Sequence, residues 1–218
     1  MPLILFDFDG VLADTLADML QFGQQGCNEL GLNRIVTQDD LNSLEVMSIA
    51  TFGQQLGVPS HLLDGFVRRF LERFSEKKAP PAIFKGLDEV VTKLSAKNII
   101  GIITGNSSQN VNLFLTEHGL DGHIRAIYGV DSPGSKAEKI SFAQNRFAAD
   151  GETVFMVGDS LSDIRAAREA GVKSIAVSWG HQSVDTLLRA RPDALVHSPE
   201  ELLEVIERDC PHASTRQN

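Results

Sequence analysis

The sequence predicts an α/β protein, a doubly wound parallel sheet with a small all-helical unit inserted after the first strand. Three observations carry that prediction. From residue 86 onward, short apolar runs alternate with stretches of helical period, the pattern of right-handed βαβ crossovers that cover a parallel sheet on both faces. A separate apolar run, Leu3-Ile4-Leu5-Phe6, stands near the start. Between the two, residues 16–80 hold no convincing strand. A chain of 218 residues, 42% hydrophobic and 22% charged, can bury a sizeable core, as one large domain or as a core with a modest second one. The pattern divides it into a core domain of residues 1–15 and 81–218 and a helical unit of residues 16–80.

Residues 3–6 are too few and too continuously apolar for an amphipathic helix and read as a buried strand. Residues 16–30 place Leu16, Met19, Leu20, Phe22, Cys27 and Leu30 at mostly helical spacing, with Gly31 as a stop. Thr37, followed by Gln38, Asp39 and Asp40, reads as an N-cap with acids in the first turn, opening a helix that runs towards Ile49. Gly53 and Gly57-Val58-Pro59 punctuate the region. Ser60 then caps a third helix, whose Leu62, Leu63, Phe66, Val67, Phe70, Leu71 and Phe74 form a broad apolar face. Pro80-Pro81 ends this block. Beyond it, helices are predicted over 86–97, 107–118, 136–149, 161–170 and 199–208, and strands over 99–104, 124–130, 153–157, 172–177 and 194–196. The polar tail over 209–218 is expected to fray.

In a sheet of this kind, sites form outside the carboxyl ends of the strands, so chemistry should collect where strands end in polar residues. The first strand ends in Asp7-Phe8-Asp9-Gly10. Alternation points Asp7 and Asp9 to the same side; two like charges so close repel, and a divalent cation is the usual offset. Gly10 then lets the chain turn sharply. A lone Asp at a strand end commonly just solvates it, but a D-x-D-G directly after an apolar strand is a sharper signal. The next strand ends in Thr104-Gly105-Asn106. A hydroxyl, a glycine and a helix N-terminus would place donors around an anion, although Asn106 or Ser107 could equally be an ordinary cap. Lys136 opens a helix, where a cation opposes the dipole unless an anion offsets it; Lys139 competes with it for that role. Finally, Gly158-Asp159-Ser160-Leu161-Ser162-Asp163 sends an apolar strand into two carboxylates four residues apart. Asp163, one helical turn on, could face the same point as Asp159, with Gly158 clearing room; a capped helix with an acid in its first turn is the plainer reading.

These four stretches carry a resemblance. DFDGVLADT resembles the first motif of the haloacid dehalogenase superfamily, whose phosphatases carry D-x-D-G-[TV]-L-x-D-[ST]. IITGN resembles the second motif, GSKAEKI the third (with Ala137 where Pro is commoner), and GDSLSD the fourth, G-D-x-x-x-D. The motifs fall in order over residues 3–180, and the helical unit resembles a cap domain of the first type. The core is similar to phosphoglycolate phosphatases and their relatives. The resemblance implies a Mg²⁺-dependent phosphatase that hydrolyses a small phosphorylated metabolite, phosphoglycolate-like or a sugar phosphate, through an aspartyl-phosphate. By it, Asp7 is the nucleophile and Asp9 the general acid and base. Mg²⁺ is held by the Asp7 carboxylate, the Asp9 carbonyl, Asp159, and Asp163 directly or through water. Thr104, backbone N–H groups near Gly105 and Asn106, and Lys136 bind the phosphoryl group.

Rivals fit less well. A haloacid dehalogenase shares the first Asp but needs neither metal nor Asp9. A phospho-receiver domain carries adjacent acids after its first strand and no helical insertion. A relative that has lost activity would not keep Asp7, Asp9, Lys136 and Asp159 intact. A β-phosphoglucomutase-like phosphotransferase shares all four motifs, yet such enzymes carry a His a few residues beyond the D-[ST] pair. Here Asp14-Thr15 is followed by Leu16, Ala17, Asp18, Met19 and Leu20, and the first histidine is His61.

Charge narrows the partners. Lys and Arg total 20 against 29 Asp and Glu, a net charge of −9, which disfavours nucleic acid and anionic membranes. A small anionic substrate answers to the local field instead. Cys27 and Cys210 are far apart and form no disulfide framework or metal motif, which points to a reducing cytoplasm. Asp7 interrupts any signal-peptide core, and no apolar run approaches a membrane span. A monomer or homodimer is expected. The six histidines, His181 among them, are scattered singly without metal-ligand spacing and read as core or surface residues. No nucleophile elbow supports Ser-His-Asp chemistry.

Overall fold

The structure, a computed structural model, describes residues 1–77, 79–148 and 151–209; the expected helix end at Ala149 and the tail over 210–218 lie outside these. The first strand, β1 (Leu3–Phe6), is completely buried. A tight turn leads to β2 (Ala13–Asp14), after which come α1 (Leu16–Glu29), α2 (Gln38–Asn42), α3 (Ile49–Gln55), a 3-10 turn at Ser60–Leu62, and α4 (Leu63–Glu76). The chain then returns through β3 (Ala82–Ile83) to α5 (Leu87–Ser95), β4 (Ile99–Ile103), α6 (Ser108–Glu117) and β5 (Ala126–Tyr128). It finishes with α7 (Lys136–Phe147), β6 (Val154–Gly158), α8 (Leu161–Glu169), β7 (Lys173–Val177), α9 (Val184–Arg189), β8 (Ala194–Val196) and α10 (Pro199–Asp209).

Six strands form one parallel sheet in the order β5-β4-β1-β6-β7-β8. The doubly wound fold class therefore stands. Because side chains alternate along a strand, β1 feeds both faces of the sheet. Ile4 and Phe6 join Val91 of α5, Phe114 of α6 and Ile206 of α10. Leu3 and Leu5 join Ile140 and Ala143 of α7 and Ala167 of α8. Both faces are covered, which explains a strand that reads as a continuous apolar run.

The helices of residues 16–76 enclose a separate apolar cluster, built on Phe22, Phe52, Phe66, Phe70 and Phe74. Phe22 meets Phe70 and Phe74 edge to face, with ring centroids 5.7 and 5.0 Å apart, the geometry that aromatic quadrupoles favour. The junctions of this block with the sheet differ from expectation. Residues on either side pair as a two-residue antiparallel ribbon, Ala13 with Ile83 and Asp14 with Ala82, too short to leave a period in the sequence. The single helix expected from Thr37 towards Ile49 is two: α2 stops at Asn42, and Ser48 starts α3 afresh by accepting the Thr51 N–H at 3.1 Å. Gly53, read as punctuation, lies inside α3 against the Phe66 ring. The six-residue α9, capped by Ser183, is too short for its periodicity to be seen, and β5 covers only the middle of the strand expected over 124–130. Among the described residues, no helix is long and apolar enough to cross a membrane.

Candidate active site

β1 stands between β4 and β6, so its carboxyl end lies at the centre of the sheet edge. Asp7 follows directly, its N–H donated to the Val157 carbonyl at 2.8 Å and its side chain buried. The backbone then wraps on itself: the N–H groups of Leu12 and Ala13 both reach the Phe8 carbonyl at 3.0 Å. Gly10 holds φ +78° there, and a Cβ on it would run into the Asp159 carboxylate and His181. Glycine is thus required both for the positive φ and for the approach of β6.

β6 delivers Asp159, fully buried, and the first turn of α8 delivers Asp163. One oxygen from each of Asp7, Asp159 and Asp163 lies within 4.8 Å of the others. Gly158 makes this possible, since any Cβ there would collide with the Asp163 side chain. Asp163 also serves in the plainer way, as the cap partner of Ser160: its Oδ2 accepts the Ser160 N–H at 3.1 Å and hydroxyl at 2.7 Å. The other oxygen, Oδ1, faces Lys136. Both readings of that residue hold at once.

Lys136, at the start of α7, places its Nζ 3.1 Å from Asp7 Oδ1 and bonds Asp163 as well. Lys139 turns away, its Nζ donating to the Gly129 carbonyl at 2.8 Å. Thr104 is buried, and its Oγ1 accepts the Asn106 N–H at 2.9 Å. Asn106 donates its amide to both oxygens of Asp9, at 3.3 and 3.2 Å, and accepts from the Ser107 N–H and the Asn110 amide at 2.9 Å. The Asp9 carboxylate accordingly stands apart from the trio formed by Asp7, Asp159 and Asp163.

His181, on the loop after β7, is the residue that sequence reasoning missed. Its N–H donates to Asp159 Oδ2 at 2.7 Å, its Nδ1 lies 3.3 Å from the same oxygen, and its Nε2 is 3.3 Å from Thr15 Oγ1. Thr15 in turn draws the Asp9 pKa down. A single His far along the chain carries no spacing signal, and only the fold returns it to β1.

Electrostatics follow from burial. Desolvation drives Asp7 well above the ordinary carboxyl range; Lys136 opposes it, while Asp163, Asp159 and Asp9 add to it. Asp159 is pushed up to about 7, first by burial and then by Asp163. Burial also raises Asp9, against the pull of His181, Asn106 and Thr15, and lowers His181. Lys136 is pushed up, the attraction of Asp163 and Asp7 outweighing its desolvation. A buried trio of acids facing one lysine is short of positive charge. Asp159 Oδ1 is also buried without a hydrogen-bond partner among the described residues, a costly state that a cation would relieve. The donors are all hard oxygens, the set that suits Mg²⁺.

A chamber opens on these groups. Asp7, Asp9, Gly105, Asn106, Lys136 and His181 line it from the sheet side, and Met19, Met47, Ile49 and Phe74 close it from the helical block.

Residues 4–177 match the family model of haloacid dehalogenase-like hydrolases. A phosphoglycolate phosphatase of Synechococcus elongatus is 28% identical over 94% of this chain and 97% of its own length. One from Agrobacterium fabrum is 30% identical over 89% and 88%. An N-acetylmuramic acid 6-phosphate phosphatase of Pseudomonas aeruginosa is 28% identical over 95% and 96%. Among solved structures, a haloacid dehalogenase-like hydrolase of Streptococcus pneumoniae superposes with a TM-score of 0.82, at 22% identity over 94% of this chain and 97% of that one, a likeness of fold.

Proposed function

This chain belongs to the haloacid dehalogenase-like hydrolases, among their phosphatases, and from that premise we propose that it hydrolyses a small phosphomonoester through an aspartyl-phosphate on Asp7, with Mg²⁺ as its cofactor. The observation that carries the reading is Asp7 itself, a buried carboxylate at the carboxyl end of the central strand, 3.1 Å from Lys136 and clustered with Asp159 and Asp163. Asp7 attacks phosphorus as the ester oxygen leaves opposite. Asp9 gives its proton to that oxygen, then takes one from the water that cleaves the aspartyl-phosphate, releasing phosphate and restoring Asp7. The raised pKa of Asp9 suits it to hold that proton, and the Asn106 amide fixes its direction. Lys136 and the Thr104 hydroxyl face the phosphoryl oxygens, with backbone N–H groups around Gly105.

The Asp7, Asp159 and Asp163 carboxylates, with the Asp9 carbonyl, would hold the ion. When bound, it neutralises the acids and draws charge from the phosphoryl group.

Residues 16–80 act in this reading as a cap domain on a core of residues 1–15 and 81–218. Met19, Met47, Ile49 and Phe74 exclude water and meet the leaving group. The relatives' names support a phosphoglycolate-like or sugar phosphate as the substrate. The test is a panel of phosphorylated metabolites assayed for inorganic phosphate with and without Mg²⁺, alongside Asp7→Asn. Turnover by Asp7→Asn should fall by about three orders of magnitude or more while folding survives. Near-normal turnover in a preparation free of contaminating phosphatase would sink the mechanism.

A further inference from the structure

One buried side chain, Gln182, joins the helical block to the sheet side. Gln182 is 2% exposed and uses both ends of its amide. Its Oε1 accepts the Leu161 N–H at 2.8 Å. Its Nε2 donates to the Leu44 carbonyl at 2.9 Å and to the Leu41 carbonyl at 3.3 Å. Leu161 is the first residue of α8, whose N–H has no partner inside the helix, and the carbonyls of Leu41, which also accepts the Leu44 N–H at 3.1 Å, and of Leu44 stand at the end of α2 and just past it. One amide therefore joins the start of α8 to the end of α2.

What lies on each side gives the joint its meaning. Leu161 stands between Asp159 and Asp163 and next to Ser160, the hydroxyl of which holds Asp163. His181, the neighbour of Gln182, holds Asp159 through its own N–H, and its carbonyl accepts from Gln38 at the start of α2. The segment that follows α2 carries Met47 and Ile49 into the chamber. Around Gln182 the same two surfaces meet again, through Asn42 to the Ser183 N–H at 2.9 Å, the Met47 N–H to Ser162 at 3.2 Å, and Glu45 to Arg165 at 2.6 Å. These outer contacts are more exposed; the buried one is Gln182.

We propose that Gln182 is a positioning residue for the phosphatase reaction: its amide ties residues 38–47 down over the chamber and anchors the α8 start that presents Asp163 beside Asp159. The proposal rests on the function proposed above. Undocking the helical block would leave the Gln182 donors and the Leu44 carbonyl to find water, so the closed state is favoured by a bond that only a docked block can make. A buried amide with three bonds and no spare donor or acceptor in use elsewhere is costly to mispair.

The two ends can be separated. Gln182→Glu keeps an acceptor for the Leu161 N–H but sets a carboxylate against two carbonyls; Gln182→Met keeps the volume and loses both ends. Amide hydrogen exchange over residues 38–47, kcat/KM on para-nitrophenyl phosphate, and the rise of Tm with Mg²⁺ are read on each. For Gln182→Glu, exchange over 38–47 should quicken and kcat/KM fall by about tenfold or more each, while the Mg²⁺-dependent rise in Tm is kept. For Gln182→Met, that rise should shrink as well. Asn42→Ala, which removes only an outer contact, serves if the Gln182 variants do not fold, and should quicken exchange over the same residues by a smaller factor.

Exchange over 38–47 that follows the rest of the chain in every folded variant would overturn the proposal. So would a kcat/KM within twofold of the parent once that segment has loosened. A parent protein without phosphatase activity would instead remove the function reading, leaving the exchange and Mg²⁺ arms to judge the tie alone.

Discussion

At the scale of the residue, the two lysines of α7 divide the work by geometry. Lys136 bonds Asp7 and Asp163, whereas Lys139 bonds the Gly129 carbonyl, and burial and the nearby Lys136 lower its pKa. Lys136→Met should therefore cut kcat/KM by about a hundredfold or more, as removal of a group aimed at developing charge does. Lys139→Met should lower Tm and leave kcat within a few-fold. Equal losses of turnover from both would show that the helix start, and not Lys136, is what matters.

Asp159 supplies a second residue-scale outcome. Its folded pKa of about 7 exceeds its ordinary 3.8, so the folded state binds more protons than the unfolded one in between. Stability from this group falls as pH rises through that window. Asp7 acts in the same direction. His181, with its pKa lowered, acts oppositely, but only below its ordinary value of 6.5. The metal-free protein should therefore lose Tm as pH rises from about 6.5 to just above 7, and Mg²⁺, which binds the deprotonated acids, should raise Tm more at the upper end. A Mg²⁺ effect equal at both ends, or none at millimolar metal, would leave the acids unlinked to a cation.

At the scale of the element, α1 shows how packing overrides propensity. A glycine inside a helix costs up to about 1 kcal/mol relative to alanine, yet α1 carries Gly23 and Gly26 in its middle. Each gives way to an aromatic ring: a Cβ at Gly26 would collide with Phe66, and one at Gly23 would lie 2.8 Å from Phe52. Gly26→Val regains a few tenths of a kcal/mol of helix propensity and loses about 1–3 kcal/mol to overpacking. The clash wins, so Tm should fall. A Tm at or above that of the parent would mean that α4 can shift outward without cost. The same elements show where pattern reading stops. The broad apolar face of α4 was legible because fourteen residues repeat it, whereas α9 and the β2–β3 ribbon are too short to carry a period.

At the scale of the whole molecule, the proposed aspartyl-phosphate on Asp7 would meet its acceptor beneath the helical block. No histidine comes from that block into the chamber among the described residues; His181 enters from the sheet side. In the proposed mechanism Asp9, held by Asn106, would activate water as well as protonate a leaving group. Net release of inorganic phosphate should thus outrun any transfer to a sugar. With a hexose 1-phosphate and a catalytic amount of its bisphosphate, isomer accumulating faster than free phosphate would show the chain to be a mutase.

Read from the sequence alone, the parallel α/β core, the strandless stretch over 16–80 and the residues Asp7, Asp9, Thr104, Lys136, Asp159 and Asp163 were all in view, because strand ends in a parallel sheet can be located by where apolar runs stop. Those marks are local, so one chain suffices to find them. The tertiary structure alone decided that Lys139 turns away to the Gly129 carbonyl, that Asp163 caps a helix with one oxygen and faces Lys136 with the other, that His181 lines the chamber and that Gln182 bonds the start of α8 beside it. The latter two lie more than a hundred residues from Asp9 and Leu41, and nothing in their own neighbourhoods distinguishes them. Apart from the Asp159 carboxylate, which accepts the His181 N–H, their partners are backbone N–H and carbonyl groups and a threonine hydroxyl. Such groups are present in every stretch of sequence, and only the fold determines which of them lack a partner.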